Sequence, residues 1–113
     1  MKMIQAIIRR EKLGAVKEAL DNLKCPGLMV WEIMGHGKQK GITEQFRGRE
    51  FRVDLIPKTK IEIVVHDAQV KSLVDAIIKT SSTGQIGDGK IFIIPVEDAI
   101  RIRTGEKGEI AVG

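Results

Sequence analysis

At 113 residues the chain is sized for one domain with one modest core. Hydrophobic residues make up 42% and charged residues 30%, an ordinary globular balance, and no apolar run is long enough to cross a bilayer. The formal net charge of +4 suits an anionic ligand or partner but does not by itself argue for nucleic acid, and a single cysteine, Cys25, excludes an internal disulfide and a cysteine-based metal cluster. The N-terminus enters an alternating pattern with no signal-peptide layout, so a cytoplasmic protein is expected.

Residues 2–9 alternate as a first strand. In residues 11–24, Leu13, Val16, Leu20 and Leu23 recur at helical spacing, Glu11 and Lys24 suit the helix dipole, and Pro26-Gly27 ends the helix. Residues 28–34 read as a second strand. Residues 35–57 are rich in glycine and charge and show little period until Phe51–Leu55; a loop this long in a small domain is usually functional. A third strand is expected at 59–65. Asp67 is an N-cap candidate for a helix over 68–80, with Val70, Leu73, Val74, Ile77 and Ile78 as its apolar stripe. The run KIFIIPV reads as a fourth strand, followed by a short strand at Ala99–Arg103 and a glycine-rich tail. Strand–helix–strand, long loop, strand–helix–strand is the βαββαβ pattern of an α+β, ferredoxin-like domain.

Two helices cover one face of such a sheet, yet both faces are apolar. Ile91 and Ile93 oppose Phe92 and Ile94, and Val30 opposes Met29, Trp31 and Ile33. Leaving such side chains wet forgoes about 1.5–3 kcal/mol each, which predicts a homo-oligomer buried through the second face.

The chemistry concentrates at Gly84–Lys90, GQIGDGK. Its glycines permit positive φ, so successive N–H groups can converge on an anion beside Lys90. The spacing passes for G-x-x-x-x-G-K, but Ile91 stands where a P-loop needs Ser or Thr, and a strand follows where it needs a helix. Further cations pair at two-residue spacing, Arg101 with Arg103 and Lys58 with Lys60, each pair on one face of a strand. A second glycine cluster runs from Gly35 through Gly37 and Lys38 to Gly41. His36 and His66 lack metal-ligand spacing, Ser81 and Ser82 lack a base, and Glu62 and Asp88 read as ion-pairing carboxylates, so no catalytic residue is assigned. With no Tyr, one Trp and three Phe, the strands lack the stacking aromatics of an RNA-binding sheet.

Three stretches, KMIQAIIRREKL, GKQKGITEQFRGREFRVDLIPKTKIEIVV and TGQIGDGKIFIIPVEDAIRIRTGE, resemble the PII family of nitrogen-regulatory signal proteins over nearly the whole chain. The resemblance implies a single PII-like domain over 1–113, with a T-loop at about 37–55, a B-loop at about 82–90 and a C-loop at about 101–110. It implies a homotrimer that binds ATP or ADP between subunits, and 2-oxoglutarate when Mg²⁺ and ATP are present. Targets of such proteins include an ammonium transporter, glutamine synthetase and other nitrogen-metabolism enzymes, with a membrane met only through the transporter. By position, the nucleotide falls to Ile7, Met29, Gly35, Gly37, Lys38, Gln39, Val64, Gly87, Asp88, Gly89, Lys90, Arg101 and Arg103. By the same resemblance 2-oxoglutarate falls to Gln39, Lys40, Gly41 and Lys58, Mg²⁺ to Gln39, and target contact to Arg47 and Phe51.

The chain departs from the family pattern at several positions. Phe51 stands where many members carry a tyrosine that is uridylylated, and Arg49 where some carry a phosphorylated serine, which implies signalling by ligand alone. Met29 replaces a common threonine, which removes one hydrogen bond to the nucleotide, and Arg10 replaces a common proline. A paralogue dedicated to nitrogenase control and a slow nucleotide phosphohydrolase are the alternatives; the stretch GITEQFRGREFRVDLIP favours the transporter type.

Overall fold

A computed structural model describes residues 1–36, 43–46, 49–52 and 55–113, with backbone alone for 43–46 and 49–52. Strand β1 (Lys2–Ile8) leads through a 3-10 turn at Arg10–Lys12 into helix α1 (Leu13–Asn22). Strand β2 (Met29–His36) is followed by two short strands, β3 (Thr43–Phe46) and β4 (Arg49–Arg52), and then by β5 (Leu55–Val65). Helix α2 (Val70–Ser81) and strand β6 (Gly89–Pro95) complete the set.

β2, β5, β1 and β6 lie in that order in one antiparallel sheet, and β3 pairs with β4 apart from it. Two helices on one face of an antiparallel sheet in this order make the expected ferredoxin-like fold. Alternation along the strands builds the core: Ile4, Ala6 and Ile8 of β1 meet Ile61, Ile63 and Val65 of β5, and Val16, Leu20, Leu73 and Ile77 of the helices close over them.

Residues directly opposite one another in the ladders share a face. The register Ile7↔Lys60, Ile7↔Lys90, Trp31↔Lys60 and Ile33↔Lys58 therefore puts Ile7, Trp31, Ile33, Lys58, Lys60, Lys90 and Phe92 on the face away from the helices. Met29, Trp31 and Phe92 are exposed there.

Four local expectations are corrected. β5 begins at Leu55 instead of 59, pairing with β2 as far as His36↔Leu55; Pro57 lies beyond the last β1 partner, Ile8, so its missing N–H breaks no β1 ladder bond. Asp67 does not cap α2 but sits inside a 3-10 turn, where the Gln69 side-chain oxygen accepts from the His66 N–H at 3.3 Å. Leu23 and Ile78 are exposed: Leu23 follows the last residue of α1, with Lys24 turning away at φ +54°, and Ile78 borders a groove of about 400 Å³ between α2 and β6. Ala99–Arg103 is not a strand. Only Ile100 bridges, to Lys107, and the chain then turns, with the Gly105 N–H donating to the Arg101 carbonyl at 2.7 Å. Arg101 and Arg103 thus do not share a strand face.

The buried stripe predicts a contrast along α2. Leu73→Ala should cost about 2–5 kcal/mol of unfolding free energy by urea titration, while Ile78→Ala should cost less than about 1.5 kcal/mol. Equal losses would contradict the packing described.

Candidate functional site

The glycine loop enters from the end of α2 and leaves into β6 at the end of the sheet where β1 stops. Gly87 and Gly89 hold φ of +100° and +105°. At Gly89 a Cβ would stand 1.7 Å from the Ile7 carbonyl oxygen, so only glycine permits this approach of loop to strand.

Beside this loop, on the open face, lies a cleft of about 480 Å³. Ile7, Gly35, Lys58, Gly87, Gly89 and Lys90 line it, together with Ile33, His36, Ile56, Ile86 and Phe92. Of the described residues lining it none carries a carboxylate, while Lys58 and Lys90 carry amines. This donor set fits an anion, and the apolar walls fit a flat or aliphatic moiety attached to it. The Lys58 ammonium donates to the Gly87 carbonyl. Burial pushes the Lys58 pKa down, and the neighbouring Arg9 charge adds to the shift.

Asp88 corrects the expectation that it faces a ligand. Its carboxylate turns back into the loop, accepting from the Thr83 N–H at 2.8 Å, the Gly84 N–H at 2.9 Å, Arg9 Nε at 3.1 Å and the Thr83 hydroxyl. These bonds, the Thr83 hydroxyl first, hold the carboxyl well below the usual carboxylate range.

The other assigned residues lie elsewhere. Met29 and Val64 are on the open face toward the far end of the sheet; Val64 stands about 20 Å along β5 from Lys58 at ~3.3 Å per residue. The C-terminal segment packs at that far end, where Glu109 meets His66 just beyond β5. Arg101 is engaged within this segment, with Glu106 at 3.0 Å and the carbonyls of Ile110 and Gly113 at 2.9 and 3.2 Å, and Arg103 is exposed. Lys60 shares a face with Lys58 but lies over the Trp31 ring at 4.6 Å and pairs with Glu62 at 3.4 Å; Glu62 also accepts from Gln5 at 3.0 Å. Gly37, Lys38, Gln39, Lys40, Gly41 and Arg47 lie outside the described residues, and Phe51 is described through the backbone of β4 alone. Alternation with Ile7 and Lys58 would have added Ile33 and Phe92 to the assigned residues. Arg9 was missed, because nothing local in the sequence links it to a loop nearly eighty positions away.

Fold and cleft together define a ferredoxin-like α+β domain with a cationic, glycine-lined pocket on its uncovered sheet face. The chain belongs to the nitrogen regulatory protein P-II family, whose model matches residues 1–106. It is 58% identical to nitrogen regulatory protein P-II 2 of Methanothermobacter thermautotrophicus over 99% of this chain and 97% of the relative. It is 57% identical to the P-II protein of Cereibacter sphaeroides and 56% identical to that of Nostoc punctiforme, each over 99% of this chain and the whole of the relative.

The bonding of Asp88 predicts a pH response. A depressed folded-state pKa means the loop contacts are complete above the unfolded value of about 3.9 and are lost only as pH falls through the lower folded value. The amide resonances of Thr83 and Gly84 should stay fixed from pH 7 to about 4.5 and move only well below pH 4. A midpoint at the ordinary carboxylate value would contradict the geometry.

Proposed function

We propose that this P-II family member is a cytoplasmic, ligand-operated regulator of nitrogen metabolism that works as a homotrimer without turnover of its own beyond slow nucleotide hydrolysis. The cationic cleft at the glycine loop, open on an uncovered apolar sheet face, is the observation that carries the reading.

ATP or ADP sits with its phosphates at Gly87, Gly89 and Lys90, against Ile7 and Gly35. The residues at the far end of the sheet, Met29, Val64, Arg101 and Arg103, belong to the same nucleotide but are contributed by a neighbouring copy. Within one chain the two groups stand about 20 Å apart, too far to close on one ligand. Packing of copies through the open face brings them together and covers Trp31 and Phe92. Arg101 exchanges part of its Glu106 pairing for phosphate.

In this reading 2-oxoglutarate binds with Mg²⁺ and ATP through Gln39, Lys40, Gly41 and Lys58, and Lys58 leaves the Gly87 carbonyl to meet a carboxylate. Bound Mg²⁺ would neutralise phosphate charge and tie the two ligands together, with Gln39 as its protein ligand. The segment carrying Arg47 and Phe51 then engages or releases a target, an ammonium transporter or an enzyme such as glutamine synthetase. Phe51 has no phenolic oxygen, so control is by ligand and not by uridylylation.

Calorimetry tests this directly. ATP should bind the wild type, and 2-oxoglutarate should bind only when Mg²⁺ and ATP are present. Lys58→Gln should weaken 2-oxoglutarate by roughly tenfold or more, the loss of a charge-assisted bond, while ATP affinity changes by less than about threefold. No ATP binding at high micromolar concentration, or equal loss of both ligands in the variant, would overturn the assignment.

A further inference from the structure

Arg9 stands directly after β1, outside the residues assigned to ligand contact, and its guanidinium reaches the glycine loop at two points. Nε donates to Asp88 Oδ1 at 3.1 Å, and Nη2 donates to the Ile86 carbonyl at 2.9 Å. These anchors flank Gly87, whose hypothetical Cβ would stand 3.4 Å from Arg9 Nη2 and 3.6 Å from Lys58 Nζ. Asp88 in turn gathers the N–H groups of Thr83 and Gly84. One strut therefore joins the end of β1 to the loop's entry at Thr83 and Gly84, its apex at Ile86 and its exit at Asp88.

The strut has a directional consequence. In a trans peptide the carbonyl and the following N–H point opposite ways. With the Ile86 carbonyl drawn onto Arg9 and the Gly87 carbonyl onto Lys58, the N–H groups of Gly87 and Asp88 are aimed away from those cations. Ile86 itself is 82% exposed, so apolar packing does not hold the apex in place.

We propose that Arg9 is the positioning residue of the nucleotide loop: it holds Gly84–Gly89 in the form whose N–H groups accept phosphate, acting through Asp88 and the Ile86 carbonyl without touching the ligand. This rests on the nucleotide reading of the cleft. Arginine suits the task because its planar fork serves two acceptors at once, whereas a lysine in its place reaches one.

The test compares wild type, Arg9→Gln, Arg9→Lys, Asp88→Asn and the Arg9→Gln/Asp88→Asn double variant. ATP affinity is read by calorimetry and loop order by amide hydrogen exchange over residues 84–89. Arg9→Gln should weaken ATP about tenfold or more and speed loop exchange, with the unfolding temperature little changed because the ion pair is solvent-accessible. Arg9→Lys should recover part of both. The double variant should bind no more weakly than Asp88→Asn alone, since residues acting through one another are not additive. Wild-type ATP affinity and loop exchange in Arg9→Gln would overturn the proposal. So would additive losses in the double variant, which would make Arg9 a direct phosphate contact. If the wild type binds no ATP, the nucleotide reading falls, and unchanged loop exchange in Arg9→Gln would separately refute the strut.

Discussion

The approach of Gly89 to Ile7 is the constraint on which the site depends. A Cβ at Gly89 would fall inside the Ile7 carbonyl, so the loop can enter β6 at this point only through glycine, and only with positive φ. That entry sets the pairing Ile8↔Gly89 and Ile7↔Lys90, which turns Lys90 and Ile7 together onto the open face. It also brings Gly87 within reach of two cations from different strand ends, Arg9 after β1 and Lys58 on β5. A cationic pocket thus follows from a backbone contact that carries no charge.

The second constraint is that two helices can cover one sheet face and no more. The covered face is a closed core of isoleucine, valine and leucine. The other face mixes apolar side chains with Gln5, Glu62 and Lys60, the last lying over Trp31. Those polar groups are already paired with one another, so burying this face against another copy leaves few unmet hydrogen bonds. The proposed trimer uses both properties: apolar area drives association, and the division of ligand-binding groups between the two ends of the sheet makes each site a product of assembly.

Much of this was legible in the sequence because the signals are local. Period-two and period-3.6 patterns located the four sheet strands and both helices, and GQIGDGK marked the loop. The misses share a cause. Arg101-Ile102-Arg103 alternates like a strand, but Gly105 turns the chain back and Glu106 captures Arg101, so tertiary pairing overrides the pattern. Asp67 looks like a cap, yet the turn before α2 is stapled by Gln69 instead. Asp88 reads as a ligand by position, whereas four donors fold it back into its own loop. The Arg9 strut spans nearly the whole chain in sequence, and no periodicity encodes a contact at that separation.

The account's central claim is that one nucleotide is held by the glycine loop of one copy and the C-terminal arginines of the next. Mixed assembly tests it most directly. Lys90→Gln and Arg103→Gln chains, each purified alone, should bind ATP poorly. Unfolded and refolded together, they should recover wild-type affinity at about a quarter of the sites, because random assembly places an intact loop against an intact C-terminal segment at that frequency. No recovery on mixing, with the subunits shown to have exchanged, would contradict a site shared between copies.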